Sequence, residues 1–480
     1  MSAPAPTDRA GARLARFQAN PRRALWSLAV PITVGMSIYT AYMMADMIFV
    51  GMLGPEALTA VAFNMPLLFL AMGTTFGFGS AVTALIAQAI GARDDRRANQ
   101  VGQHSLAVGL VMTVAFTSIG LTQGRALLAA IGVPADLLPL AWEYFSVVAF
   151  GFAFQVLAIL FRSIFSGEGE VKLPVMIQGV ATLLNIALDP LFMFTFGLGV
   201  RGAAVATVVT QALVMTTFGY LLFVRRRSHV DLSYRGFRLD GAIVADLARI
   251  GAPASLSFLT MSVGGLAFNR ILVTYSPDAV AAIQVGSRLD HLVVLPLVAM
   301  ASSLVTLVGM FYGARRLDLV SDIARYALTR GFTIAVAVSA GFAVFAPWLV
   351  LPFTDSPEIR RIAAQYLRFA ALAFPSFPFS IMIGRALQGL DRGAPELVLS
   401  LLRVLLISVP LAAVFTFTLE LPLHFVWVAM IVGGWTAATL AITWWRRALA
   451  RELRKAAEPE KATVEPAVDA PVPAPDYLSA

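Results

Sequence analysis

Two carboxylates stand inside segments that otherwise read like hydrocarbon solvent. Asp189 lies in LNIALDPLFMFTF, four residues after Asn185, and Asp46 lies in YTAYMMADMIFVG, four residues after Tyr42. Residues four apart share a helix face, which puts Tyr42 beside Asp46. The same rule gathers Gln178, Thr182, Asn185 and Asp189, spaced 4, 3 and 4 apart, into one polar stripe. Ionisable groups at membrane depth are costly unless they face protein or water. A cluster of carboxylate, amide and hydroxyl oxygens suits two chemistries. It can hold a hard cation such as Na⁺, or it can share a proton between two carboxylates that cannot cheaply both ionise.

The elements that must position these groups follow from composition. Hydrophobic residues make up 58% of the 480 residues and charged residues 13%, about half the charged share of a soluble domain. Mean hydropathy is +0.78. Apolar runs long enough to span a bilayer recur at roughly 24–50, 58–90, 98–122, 138–165, 172–195, 200–224, 246–273, 279–312, 324–347, 361–388, 394–418 and 423–445. Backbone groups in lipid need internal partners, so each run is expected to be a helix, giving an all-α integral membrane protein with twelve transmembrane helices. The chain divides into a basic cytoplasmic arm (1–23), an N-lobe of six spans (24–224), a linker (225–245), a C-lobe of six spans (246–445), and a tail (446–480). That tail begins basic and then becomes Pro-, Ala- and acid-rich, which predicts disorder. With the N-terminus inside, only Arg125, Arg201, Arg360 and Arg361 of the 36 Lys and Arg fall in outer loops. The net charge of +8 is therefore an orientation signal that places both termini in the cytoplasm of a bacterial inner membrane, and calls for no nucleic-acid partner. There is no cysteine, and the four histidines make no metal-ligand spacing. No catalytic constellation is present, so the chain is not expected to be an enzyme. No cleavable signal peptide is evident.

At about 1.5 Å per residue, Asp46 lies roughly 6 Å, Asp189 roughly 9 Å and Thr207 roughly 10 Å from the outer ends of their runs. Asp46, Asn185, Asp189 and Thr207 thus reach a similar level from three helices. The two halves test whether this is scaffold. Shifted by 222 residues, 31–93 aligns without a gap on 253–315, with Pro31 on Pro253, Pro55 on Pro277 and Gly91-Ala92-Arg93 on Gly313-Ala314-Arg315. Tyr144 falls on Tyr366 and Gly167 on Gly389. Each half has an even number of spans, so the repeats are related by an axis along the membrane normal. Asp46, however, lands on Phe268, and with one deleted residue Asn185 and Asp189 land on Leu406 and Pro410. Either acid alone could reach headgroup water, or Asp189 could serve a bend beside Pro190. Two at matched depth, both missing from the twin, favour function.

The second half carries its own charges in RILVTY and SRLDHLVVLP, where Arg270, Arg288 and Asp290 suggest a structural charge pair tying two spans. Arg162 and Arg385 lie near helix ends, where snorkelling accounts for them. Tyr39, Met43, Met72, Phe76, Phe154 and Gln178 are candidates to line a substrate pocket, since Met and aromatics accept varied apolar cations.

Three blocks, VPITVGMSIYTAYMMADMIFVGMLGPEALTAVAF, NIALDPLFMFTFGLGVRGAAVAT and SRLDHLVVLPLVAMASSLVTLVGMFYGA, make the chain similar to the multidrug and toxic compound extrusion (MATE) family, in its DinF-like branch. The resemblance covers roughly 20–445. It implies a two-lobed antiporter that exchanges Na⁺ or H⁺ for lipophilic, usually cationic, drugs or toxins, without further cofactor. The family's N-lobe cation site carries over to Asp46, Asn185, Asp189 and Thr207, with Tyr42 adjacent, and Pro31 matches a first-helix proline associated with bending. Met52 and Met310 depart from the family pattern at a basic and a polar position. The expected partners are a small-molecule substrate and membrane lipids, with the protein acting as a monomer. The rival reading is a flippase for lipid-linked saccharides from the same superfamily, which would need a strongly cationic cavity and often two further helices.

Overall fold

The computed structural model describes residues 6–234 and 237–457, and among these there is no β-strand. A short helix α1 (Pro6–Ala19) precedes twelve helices long and apolar enough to cross a membrane. The N-lobe holds α2 (Pro21–Met52), α3 (Pro55–Gly91), α4 (Asp95–Ala130), α5 (Leu138–Gly167), α6 (Lys172–Thr195) and α7 (Gly199–Val224). The C-lobe holds α8 (Gly241–Val273), α9 (Pro277–Gly313), α10 (Leu317–Phe353), α11 (Pro357–Gly389), α12 (Ala394–Thr418) and α13 (His424–Ala457).

Because these helices are apolar on most faces, local sequence decides mainly where they begin and stop. Pro21, Pro55, Pro277 and Pro357 occupy first turns, where a missing N–H costs nothing. Asn20 accepts from the Arg23 amide at 3.1 Å, Asp94 from Arg97 at 2.8 Å and Ser276 from Ala279 at 3.1 Å, each capping orphan donors at a helix start. The stops repeat in register. Arg93 and Arg315 take left-handed φ of 57° and 56°, and Gly169 and Asp391 take 74° and 62°, each pair separated by 222 positions.

Among the described residues, the hydrogen bonds between lobes gather toward the end that carries the termini. There Ser255 Oγ donates to the Thr74 carbonyl (2.9 Å), Gln88 Nε2 to Gly389 (2.9 Å) and Thr306 Oγ1 to Ser166 (3.0 Å). The Trp26 indole N–H donates to the Tyr326 hydroxyl at 3.1 Å. At the tightest point α3 crosses α9. A Cβ on Gly91 would lie 2.0 Å from the Met310 carbonyl oxygen, and one on Gly313 would lie 2.0 Å from that of Gln88. Each contact is the 222-residue image of the other, so the pseudo-twofold axis runs through this crossing. A hydrophobic core joins the two lobes at this end and continues through the C-lobe to Ile271, Ala279 and Val350 at its far end, whereas the far end of the N-lobe packs a separate cluster including Val61, Leu128, Phe145, Phe152 and Met193. The cleft between lobes is therefore shut at the terminal end and parted at the other.

The basic arm is partly helical. Ala10, Leu14 and Phe17 of α1 are buried at this shut end, and Arg13 donates to the Glu168 carbonyl (2.7 Å) and to Glu170 Oε2 (2.8 Å). Glu168 also accepts from Ser228 Oγ and from the backbone amides of His229 (2.8 Å) and Val230 (3.1 Å), which fastens the interlobe linker to α5. Residues 446–457 of the expected tail continue α13 as regular helix, and 458–480 lie outside the described residues.

Candidate cation site

Three N-lobe helices bring their polar residues to one interior place. Asp46 on α2 is 5% exposed, and Asn185 and Asp189 on α6 are 3% and 0% exposed. Asn185 Nδ2 approaches Asp189 Oδ1 at 3.4 Å. The Tyr42 hydroxyl lies 3.4 Å from Thr207 Oγ1, tying α2 to α7, while Thr207 donates to the Ala203 carbonyl one turn back. Asp189 lies in the electrostatic field of Asp46, and Tyr42 and Tyr144 each lie in the field of both acids.

Local backbone explains how α6 delivers its acid. Pro190 removes a hydrogen bond directly after Asp189, and the chain continues as a π-turn over Leu191–Thr195 before it closes. Single π-turns inside helices widen the backbone and recur at functional sites. Helix α7 presses against this turn through Gly202, whose added Cβ would sit 2.6 Å from the Phe192 carbonyl carbon. That approach brings Thr207, five residues on, to the Tyr42 side of the pocket.

The donor set is unbalanced. Asp46 Oδ1 and Asp189 Oδ2 are both buried with no donor in hydrogen-bonding reach. Leaving a buried carboxylate oxygen without a partner costs about 1–3 kcal/mol or more. A hard cation or a proton between these oxygens removes that cost. Among the described residues no three His, Asp or Glu gather as a transition-metal set would require. Two carboxylates with amide, hydroxyl and phenol oxygens fit a monovalent hard cation or a shared proton. The twin positions are of another kind: Phe268 is buried and apolar, and Leu406 is 64% exposed.

The candidate lining residues divide. Tyr39 lies on the same face as Tyr42, with ring centroids 5.8 Å apart. Phe76 stacks on Phe258 of the other lobe (6.3 Å, 28°), close to where the cleft shuts. Met43, Met72 and Gln178 are half-buried, and Phe154 packs edge-on to Phe150 instead of joining the Tyr39 group. Pro31 lies within an unbroken α2.

Two readings of the charged residues change. Asp290 does not pair with Arg270 or Arg288. Its Oδ2 accepts from the Tyr366 hydroxyl at 2.6 Å, and its Oδ1 is buried without a partner. The reason is Gly286, one turn before Asp290. A Cβ there would meet the Tyr366 ring at 2.3 Å, so its absence admits the phenol of α11 from inside the lobe. Arg270 and Arg288 are exposed on other faces. Arg162 is likewise no snorkelling residue, since its guanidinium lies over the Phe76 ring at 5.2 Å. Residue spacing gave no sign of Tyr144 beside the acids, although its recurrence at Tyr366 was visible. Tyr366 donates to the incompletely partnered Asp290 in its lobe, whereas Tyr144, among the described residues, makes no hydrogen bond to Asp46 or Asp189.

Comparison with known proteins points one way. A family model described as MatE matches residues 31–191 and 253–414. The chain is 26% identical over 397 residues to a protein of Shewanella oneidensis described as an FAD transporter, covering 82% of this chain and 87% of that one. It is 26% identical over 442 residues to a probable multidrug resistance protein NorM of Thermotoga maritima, covering 88% and 91%. A solved outward-facing conformation of a multidrug resistance MATE family transporter superposes with a TM-score of 0.87 at 30% identity, covering 94% of this chain and 99% of that one.

Proposed function

As the chain belongs to the MatE family of multipass membrane transporters, we propose that it is a cation-coupled antiporter in which Na⁺ or H⁺ exchanges at Asp46 and Asp189 for an exported small molecule. The supporting observation is the pair of buried carboxylate oxygens without donors on α2 and α6. Asn185, Thr207 and Tyr42 supply the neutral oxygens around them, and Pro31 is the point at which α2 bends when the pocket loads. The positive-inside bias puts both termini in the cytoplasm of the bacterial inner membrane, so the shut end faces inward and the parted end outward. The ion supplies only charge neutralisation. It drives transport because the loaded and empty N-lobe favour different lobe arrangements, by the ion's differential affinity for the two. Lipophilic cations are the substrate class in this reading. Ion-driven dye efflux from vesicles should fall at least tenfold in Asp46→Asn and in Asp189→Asn, and wild-type rates in both would end the proposal. Na⁺ and pH gradients imposed separately identify the ion.

One observation favours a second reading of the substrate alone. Arg162 has no acidic side chain within 4 Å among the described residues and stands beside the stacked Phe76 and Phe258 where the lobes meet. A free guanidinium against aromatic planes suits an aromatic body carrying an anionic group. The S. oneidensis relative, described as an FAD transporter, fits this class. Arg162→Gln would abolish export of aromatic anions and spare lipophilic cations under this reading. The reverse result restores the first.

A further inference from the structure

We propose that the terminal end of the C-lobe holds the phosphate headgroup of an anionic phospholipid, in a basic pocket formed by α13, α8 and the turn between α11 and α12. Two adjoining cavities of about 270 and 400 Å³ share Arg392, Trp444 and Arg451. Arg447 and Leu440 line the first, Arg249 and Pro395 the second. Four arginines therefore face one space whose lining contains no acid.

Their charge is only partly compensated. Arg392 is held by Glu452 at 2.7 Å, and Arg249 is 3.8 Å from Asp391 with its side chain 67% exposed. Arg447 and Arg451 have no acidic partner within 4 Å among the described residues. Arginine's planar fork matches phosphate oxygens, and four of them around one concavity exceed what orientation in the membrane requires.

Position in the bilayer selects a lipid over a soluble anion. Helix α13 has 34 residues, about 51 Å of helix, whereas the hydrocarbon core is about 30 Å thick. Its last turns therefore project beyond the core. Trp444 marks the boundary, as interfacial tryptophans do. Leu440, Trp444, Arg447 and Arg451, spaced 4, 3 and 4, then lie along one stripe that runs from apolar through aromatic to basic. A phospholipid has the same order from acyl chain to headgroup, and basic pockets between transmembrane helices at the cytoplasmic face are suited to anionic headgroups.

The twin lobe provides the control. Shifted back by 222 positions, Arg249 and Arg392 correspond to Ser27 and Glu170, and beyond the one-residue deletion, where the shift is 221, Trp444 and Arg451 correspond to Phe223 and Val230. Arg447 corresponds to Arg226, which is exposed. A pocket that served only topology would be needed at both ends, and it is built at one.

The test uses the full chain in detergent and native mass spectrometry, with phosphatidylglycerol, cardiolipin, phosphatidylcholine and sodium phosphate titrated separately. The anionic lipids should be retained in preference to phosphatidylcholine. An arginine near a membrane surface is worth about fivefold in affinity, so Arg447→Gln with Arg451→Gln should weaken anionic-lipid retention roughly thirtyfold. Arg225→Gln with Arg226→Gln removes the same charge from the other lobe and should change it by less than about twofold. Each single variant, at about fivefold, decides the matter if the double variant is not monodisperse. Equal losses from both double variants, or equal retention of phosphatidylcholine, would overturn the site. Displacement of the lipid by millimolar sodium phosphate would overturn the choice of lipid over free phosphate.

Discussion

Shutting the cleft depends on two glycines, and Gly91→Ala measures how much. The added methyl carbon would lie 2.0 Å from the Met310 carbonyl oxygen, 2.8 Å from its carbon and 3.0 Å from the Ala314 nitrogen. An ordinary carbon–oxygen contact is about 3.3–3.6 Å, so the helices must part by roughly 1.3 Å or more at the crossing. The obstacle is backbone, so no rotamer change relieves it. Overpacking of this kind costs about 1–3 kcal/mol, and the cost falls only on the arrangement in which α3 and α9 touch. The population of the shut arrangement should then fall about 5- to 150-fold relative to the alternative. The chain has no cysteine, so spin labels at Arg96→Cys and Asp318→Cys, exposed twin positions one on each lobe, report without background. Pulsed dipolar spectroscopy in nanodiscs should show a longer, broader distance in Gly91→Ala than in the unsubstituted pair. Gly265→Ala, where an added Cβ meets nothing within 4 Å, should leave the distance unchanged. If Gly91→Ala and Gly265→Ala gave the same narrow distribution as the parent, the reasoning that this crossing sets the shut state would be wrong.

Further outcomes follow from single contacts. Thr207→Ala removes one oxygen from the proposed cation site and the Tyr42 contact; half-saturation of ion-driven efflux should rise about five- to tenfold, with folded yield unchanged, by a loss of about 1 kcal/mol. Tyr366→Phe strips Asp290 of the donor in reach of its Oδ2, and a nanodisc melt should show a stability loss of about 1–3 kcal/mol that Asp290→Asn in the same background largely restores. Asn64 is fully buried and its amide reaches the carbonyls of Ala60 (2.8 Å) and Ala141 (3.3 Å), so Asn64→Leu should destabilise the N-lobe by about 1–3 kcal/mol in the same measurement. Arg13→Ala frees α1 from Glu168 and Glu170, and hydrogen exchange should speed up in α1 while α3 and α9 stay protected.

The sequence by itself determined the helices, their number and the two-lobed repeat. Twenty-residue apolar runs have one solution in lipid, and Pro31, Pro55, Gly91 and their images at 222 positions onward carry the duplication openly. It also exposed Asp46, Asn185 and Asp189, because a polar group in hydrocarbon stands out and a twin without it supplies a comparison. Only tertiary structure decided which partners those groups meet. Asp290 seemed destined for Arg270 or Arg288 because charge pairing is the first expectation from a linear reading, yet Gly286 opens a path for a phenol 80 positions further along. Arg162 seemed a snorkelling residue until α5 turned it onto Phe76. The basic pocket at Arg249, Arg392, Arg447 and Arg451 draws on three separate parts of the chain, and its charges read in sequence only as an orientation signal. Spacing along one helix fixes a shared face, but the identity of the neighbour across that face depends on helix rotation and crossing. Those are set by packing between distant segments, here at glycines such as Gly91, Gly202 and Gly286 that let one helix approach another closely.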